Sequence, residues 1–371
     1  MMKKRVYMLM NKDKLVEKVE LPCVCADVYG KRPYGYSNIW EWLRKRKQMY
    51  CVRNAKQFLR ELGLESTEQF IEQTHLVSLS DSFWVKSAGS SLTWNDVSPF
   101  INNYSKRIGT YALEGFDIGE TEEKTYSPVI GTSGSFPHTW EIDDGHIKFI
   151  KAGSKYTLGG GTSGREPFSE YYAYVISKFL GFKCVAYELE EHTRHDGRVD
   201  IVTKCDCYTT EQVGAVSAYE LGLSSYESVL GYCSSHSKES LSSALDMLFL
   251  DSLLMNTDRH FGNIEFLVDN DSLKVLGLAP IFDNNRSMLP MYIEGYDNLS
   301  ETIEELYAYD GKTFDELYRL VLKYRSYKTE LFKLRELRLL APETVGIKEE
   351  RLKFLNEFLQ LRVEHLLSLE G

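Results

Sequence analysis

The sequence predicts an α+β chain in which a glycine-rich β lobe precedes a helical lobe, with a mixed α/β accessory region in front. Three observations carry this. Residues 1–125 mix strand-like and helix-like pieces without an internal repeat. From about 126, glycine and serine become frequent between alternating strands, in GTSGSFPHTW (131–140) and LGGGTSGREP (158–167). From about 235 the chain turns helical. The boundaries are therefore set at 1–125, 126–211 and 212–371.

In the first region RVYMLM and KLVEKVELP pair as strands. NIWEWLRKRKQ and RNAKQFLRELG carry helical spacing, with Gly63 as a helix stop, and SFWVKS is a short strand. In the β lobe HIKFIKAG alternates and ends near Lys151. SEYYAYVISKFLG (169–181) is a helix with Ser169 at its N-cap and Gly181 past its end, and FKCVAYELE and VDIVTKCDCY are further strands. In the helical lobe SLSSALDMLFLDSLLMN places Leu241, Leu245, Leu248 and Ser252 on one face. IEFLVD and LKVLGLAPIFD follow as strands joined by a turn near Asn270. Thr313 and Glu316 form a capping box, and KEERLKFLNEFLQLRVEHLLSL is a long amphipathic ending.

Composition narrows the classes. With 371 residues, 43% apolar and 26% charged, the chain is long and apolar enough to bury a core. A formal net charge of −10 argues against direct nucleic-acid binding, and LRKRKQ (43–48) reads as a solvated helix face. No apolar run approaches the roughly 18 residues that span a bilayer, so no membrane partner is expected. Seven cysteines, paired only as C-x-C, and no leader-like start predict reduced thiols and a cytoplasmic location.

Phosphoryl transfer needs placement and positive charge more than covalent help from the protein. Each part has a candidate here. Asp258 and Asn263 in MNTDRHFGN (255–263) have D-x-x-x-x-N spacing, with His260 between them. Asp283 in APIFDNN follows a strand, one hairpin later, where a metal-holding carboxylate would return. Lys151 ends a strand after a glycine-rich loop whose Ser133, Gly134 and Ser135 offer backbone N–H groups to phosphates, and Glu170 opens the next helix as a partner for that lysine. Taken singly, each is ordinary: a flexible loop, a first-turn acid, a structural histidine, a turn aspartate. Their order is the signal.

At NTDRHFGN and APIFDNNRSM the sequence resembles the HipA-type serine/threonine kinases of bacterial toxin–antitoxin systems. Their catalytic loop reads like N-x-D-x-H-x-x-N, and their metal aspartate lies in a segment like A-P-x-Y-D. SEYYAYVISKFLGF is similar to the family's E-x-x-x-x-x-L-A-x-x-x-G-I helix, with Glu170 in the acidic position. SGSFPH (133–138) matches a loop like S-G-A-Q-x-K, with His138 at its lysine position. The serine that members autophosphorylate falls on Gly131. The likeness covers about 130–320.

The resemblance implies a two-lobed protein-kinase-like fold that binds ATP and Mg²⁺. Asp258, with His260 beside it, would be catalytic, Asn263 and Asp283 the metal ligands, and Lys151 the phosphate contact. Cys205, Asp206 and Cys207 would follow the last strand of the β lobe as the hinge touching adenine, with Lys204 among the cofactor-binding residues. It also implies a protein substrate among translation components and a silencing antitoxin partner. Two other readings compete. D-R-H-x-x-N followed by aspartate is also similar to phosphoinositide kinases, which admits a lipid or small-molecule kinase, and a catalytically silent nucleotide-binding module is the third.

Overall fold

RVYMLMN and KLVEKVEL alternate, and they pair. Strand β1 (Arg5–Asn11) runs antiparallel to β2 (Lys14–Leu21), Tyr7 opposite Val19, with a register shift between Leu9 and Met10. The computed structural model to which these strands belong describes residues 5–21, 25–49, 55–119, 126–154, 157–158, 161–162, 164–295 and 297–371. Strand β3 (Cys25–Val28) adds to β2. Helices α1 (Ile39–Arg46), α2 (Ala55–Glu61) and α3 (Thr67–Thr74) follow, and β4 (Phe83–Ser87) closes the sheet in the order β3-β2-β1-β4. Asn38 caps α1 by accepting the Glu41 N–H at 3.0 Å. Tyr7, Leu9, Val16 and Val19 of the sheet pack on Trp42, Phe58, Leu59, Phe70 and Ile71 of the helices, as strand and helix periodicity require. Helix α4 (Trp94–Val97) is short. Helix α5 (Lys106–Glu114) lies against the hairpin of β5 (His138–Asp143) and β6 (His146–Ala152), in which His138 faces Lys151 in register.

The rest of the chain runs through β7 (Thr157–Leu158), β8 (Gly161–Thr162), α6 (Glu166–Leu180), β9 (Glu188–Thr193), β10 (Val199–Asp206) and β11 (Val213–Ser217). Helices α7 (Tyr226–His236) and α8 (Lys238–Leu254), strands β12 (Glu265–Asp269) and β13 (Val275–Leu278), and helices α9 (Leu299–Glu304), α10 (Phe314–Leu322), α11 (Lys328–Leu334) and α12 (Glu349–Leu369) complete it. Residues are shared between two compact units. The first takes residues 1–151, 206–216 and 267–276, and the second takes 152–205, 217–266 and 277–371.

In the first unit the N-terminal region closes around two late segments. Asn11 Nδ2 donates to the Asn270 carbonyl at 2.9 Å, and Asn270 Nδ2 donates to the carbonyls of Thr210 and Glu211 at 3.3 and 3.2 Å. Ala215 N–H reaches the Ser80 carbonyl at 2.7 Å. Gly214 sits where these three stretches meet. A Cβ there would lie 2.5 Å from Asn270 Oδ1 and 2.6 Å from the Ser80 carbonyl oxygen, so only glycine fits. Glu211 accepts from Trp94 Nε1 at 2.9 Å and Ser98 Oγ at 3.0 Å.

In the second unit α8 is buried from Ala244 onward at every position but Asp246, with Leu248, Phe249, Leu250, Leu253 and Leu254 all out of water. The single apolar stripe expected for it is thus incomplete, because α7, α10 and α12 surround it. Helix α10 has the expected capping box: Thr313 and Glu316 exchange bonds at 2.8 and 3.2 Å. Helix α12 is the expected long ending, but two of its buried positions are arginines. Arg362 donates to the Ser252 carbonyl at 3.0 Å. Arg351 donates to the carbonyls of Met288 and Leu289 at 2.9 and 3.1 Å and to Glu294 at 3.0 Å. Burial lowers both guanidinium pKa values to about 10.

Three sequence expectations are corrected. Helix α6 begins at Glu166, not after Ser169, because Pro167 is well placed in a first helical turn where its missing N–H costs nothing; Gly181 does end it, at φ +77°. FKCVAYELE is a strand only from Glu188, and Cys184 makes an isolated parallel bridge to Ile281. The strand after Asn270 stops at Leu278, since Pro280 lacks the N–H that would continue the ladder.

Candidate active site

The second unit gathers Glu170, Asp258, His260, Asn263 and Asp283 into one chain of hydrogen bonds. Helix α8 ends with Met255 in the left-handed region (φ +54°), and the buried Asn256 follows. Asn256 Oδ1 accepts the Asp258 N–H at 3.1 Å, an Asx turn that aims the loop. Asn256 Nδ2 donates to Asp251 Oδ1 at 3.2 Å and to the Asp283 carbonyl at 3.4 Å. One amide therefore ties the backbones of Asp258 and Asp283, 25 positions apart, to the end of the same helix.

The loop then turns on itself. His260 N–H reaches the Asp258 carbonyl and Asn263 N–H the His260 carbonyl, both at 2.8 Å. Asn263 Nδ2 donates to the Asp258 carbonyl at 3.0 Å, leaving Oδ1 as that side chain's coordinating atom. Gly262 N–H donates to His260 Nδ1 at 3.0 Å, so a neutral His260 carries its proton on Nε2. A Cβ at Gly262 would come within 2.9 Å of the same imidazole. The ring stands edge-on to Tyr309, centroids 5.6 Å apart.

Asp283 is also left-handed (φ +53°), a backbone that aspartate tolerates better than most residues. Its N–H faces the buried Tyr187 hydroxyl at 3.3 Å, and the next N–H, that of Asn284, is accepted by Glu170 Oε2 at 3.0 Å. Burial holds the Tyr187 phenol far above its usual pKa. Val185 N–H to the Ile281 carbonyl (2.9 Å) and Ile281 N–H to the Lys183 carbonyl (2.8 Å) stitch the approach to Asp283 onto residues 183–185. Asp258 and Asp283 are half-buried, whereas Asn263 and Glu170 are buried.

Beneath the loop lies an ion pair within the core. Arg259 and Asp251 are 0 and 1% exposed, and Nε meets Oδ2 at 2.9 Å. Burial pushes the Asp251 carboxyl up, against the pull of Arg259. Burial likewise lowers Arg259, but the facing carboxylate outweighs it and the guanidinium pKa ends above normal. We take the pair as charged.

Most of the remaining sequence candidates belong to the first unit. Ser133, Gly134 and Ser135 are exposed in the first unit, where Gly134 has φ +131°. Lys151 is nearly buried there, its Nζ 5.8 Å from the centre of the Phe136 ring. Lys148, the other lysine of β6, pairs with Asp206 at 2.7 Å. Lys204, Cys205 and Asp206 are the last residues of β10 and only Cys207 follows it, so the expected placement of Cys205 to Cys207 beyond the strand is corrected. Lys204 lies 3.8 Å from Glu190 on the neighbouring strand. Sequence reasoning missed Asp251, Asn256, Arg259, Tyr187 and Asn284. Two signals were present: a carboxylate among the leucines of α8, which must find a partner, and an asparagine two residues before the aspartate, the spacing of an Asx turn.

The donor set suits a hard cation. Asn263 Oδ1 and the Asp283 carboxylate are oxygen ligands of the kind Mg²⁺ accepts alongside phosphates and water. Among the described residues, no three His, Cys, Asp or Glu side chains form a metal cluster by themselves, and no helix is long and apolar enough to cross a membrane.

No family model and no curated protein matches the sequence. Solved structures do. The Helicobacter pylori proinflammatory kinase CtkA is 19% identical over 64% of this chain and 92% of its own, with a TM-score of 0.46. HipA of the Shewanella oneidensis MR-1 toxin–antitoxin system, solved with HipB and operator DNA, is 12% identical, with a TM-score of 0.56 over 98% of this chain and 97% of its own. The fold is that of HipA. The HipA likeness runs through nearly the whole chain, the N-terminal region included, and the expected α+β, kinase-like fold is what is found.

Proposed function

We propose that this chain with a HipA-like fold is an ATP- and Mg²⁺-dependent serine/threonine protein kinase. The observation that supports it best is the Asn256-centred network, which ties the backbones carrying Asp258 and Asp283 to the end of one helix, with Asn263 bonded to the same loop. Asp258 orients the acceptor hydroxyl and takes its proton as the new oxygen–phosphorus bond forms, while the bond to the β-phosphate oxygen breaks and ADP departs. Asn263 and Asp283 would hold Mg²⁺, which when bound neutralises phosphate charge. Lys151 and the loop Ser133–Gly134–Ser135 would serve the phosphates, and Lys204 to Cys207 the adenine edge. His260, fixed by Gly262, would keep the loop in shape. Residues 126–211 and 212–371 would act as the two kinase lobes, with 1–125 as accessory region. By analogy with the HipA–HipB complex, an antitoxin-like protein is the proposed partner and a translation component the proposed substrate.

The test is transfer from radiolabelled ATP with Mg²⁺ to the protein itself and to a cell lysate. Label should enter protein with the wild type and be lost with Asp258→Ala and with Asp283→Ala. Equal labelling by all three would overturn the proposal.

A further inference from the structure

We propose that Arg259 is a positioning residue whose guanidinium holds the loop 258–263 and the segment 282–284 in one fixed register. Arginine carries five N–H donors in a rigid planar fork. Here all five are directed at acceptors from three parts of the second unit. Nε and one Nη2 hydrogen meet the two oxygens of Asp251 on α8, at 2.9 and 3.1 Å. The other Nη2 hydrogen meets Asn284 Oδ1 at 2.7 Å. Nη1 reaches the Asn263 carbonyl at 3.2 Å and also the Phe282 carbonyl.

Those last acceptors are informative. A buried guanidinium needs acceptors for the three N–H groups that Asp251 leaves over, and the identity of those acceptors is what matters. Two of them are the backbone of Asn263, one candidate metal ligand, and of Phe282, the residue before the other. Asn256 makes the parallel link from the same Asp251 to Asp283. Asp251 is thus an anchor with two arms, each ending on a segment that carries chemistry. Lysine could keep the charge, but its three-donor ammonium cannot span two carbonyls, a carboxylate and an amide.

The consequence for metal binding rests on the kinase reading; the mechanical link does not. Two variants separate them. Arg259→Lys keeps the charge and removes the fork. The double variant Asp251→Leu/Arg259→Met removes both charges at similar volume, a change that buried pairs often tolerate without loss of stability. Amide hydrogen exchange is followed in 256–264 and 281–286, and Mn²⁺ retention in the presence of ADP is measured by electron paramagnetic resonance. In Arg259→Lys, exchange should rise in both segments together and Mn²⁺ affinity should fall about 10–100-fold, the usual effect of losing a group that orients a metal ligand. The double variant should be as loose, however stable it is. Wild-type exchange in Arg259→Lys, or wild-type Mn²⁺ retention in the double variant, would overturn the proposal, the latter by showing that charge balance suffices. If the wild type holds no Mn²⁺ with ADP yet both segments still loosen together in Arg259→Lys, the clamp stands and the kinase reading falls.

Discussion

The core of the first unit and the floor of the candidate site in the second are held together by different means. In the first, Tyr7, Leu9, Val19, Phe58 and Phe70 interlock, and Phe58 stacks on Tyr111 with ring centres 3.7 Å apart. In the second, the floor of the candidate site is Arg259, Asp251, Asn256, Glu170 and Asn284, all buried and polar. An apolar core is specified by volume and pattern, and tolerates substitutions that preserve both. A polar one must be satisfied donor by donor, and fails when one partner goes. The second kind fixes directions as well as distances, which is what the proposed base and two metal ligands require.

The contrast can be broken from either side. The largest effect should come from Asp258→Ala, which takes away the proposed proton acceptor: phosphoryl transfer should fall about 10²–10⁴-fold in a protein that still folds. Asp251→Ala should instead lower stability as well, leaving Arg259 buried without its counter-ion and costing about 3–5 kcal/mol in urea unfolding. Phe58→Ala should cost a comparable or smaller amount, about 3–5 kcal/mol, through the cavity it opens, yet the specific activity of the folded protein should stay at the wild-type level. Loss of activity per folded molecule in Phe58→Ala would erase the distinction between the units.

Smaller effects sharpen it. Thr313→Ala removes one half of the capping box of α10 and should cost about 1 kcal/mol by the same unfolding assay. The smallest concerns Glu294, which bridges Arg165 and Arg351 at 2.8 and 3.0 Å. Burial works against its charged form, but its own backbone N–H, Arg351 and Arg165 outweigh burial and hold the carboxyl below its ordinary 4.5. A depressed carboxylate stabilises the fold above the unfolded pKa, and that stabilisation is lost as pH falls through the folded value. Melting curves of wild type and Glu294→Gln should therefore converge on acidification from neutrality. A gap that widens in acid would contradict the assignment.

What could be read in the sequence was whatever is local. Alternation in RVYMLM and KLVEKVEL, the caps Thr313 and Gly181, and the apolar density of α8 are contained within one element, and each reappears in the structure. The kinase-like fold followed from the order of such pieces. Errors fell where a distant partner or a single residue overrode pattern: Pro167 advanced the start of α6, and Pro280 cut short the run toward Asp283. At the site, D-x-x-x-x-N spacing flagged Asp258 and Asn263, but nothing nearby in the chain showed that Arg259 would face Asp251 and Phe282, or that Glu170 would meet Asn284, 114 positions away. Buried polar networks are made of such distant pairs, so single-residue propensity does not register them.

The junction at Gly214 bears on synthesis. Asn11 bonds to a residue 259 positions downstream, and the same Asn270 presses on Gly214 and reaches back to Thr210. A ribosome making this chain therefore delivers the opening sheet long before the piece that finishes it. Until Asn270 clears the exit tunnel, the amino-terminal half waits with its seam open, exposed to proteases and chaperones for most of translation.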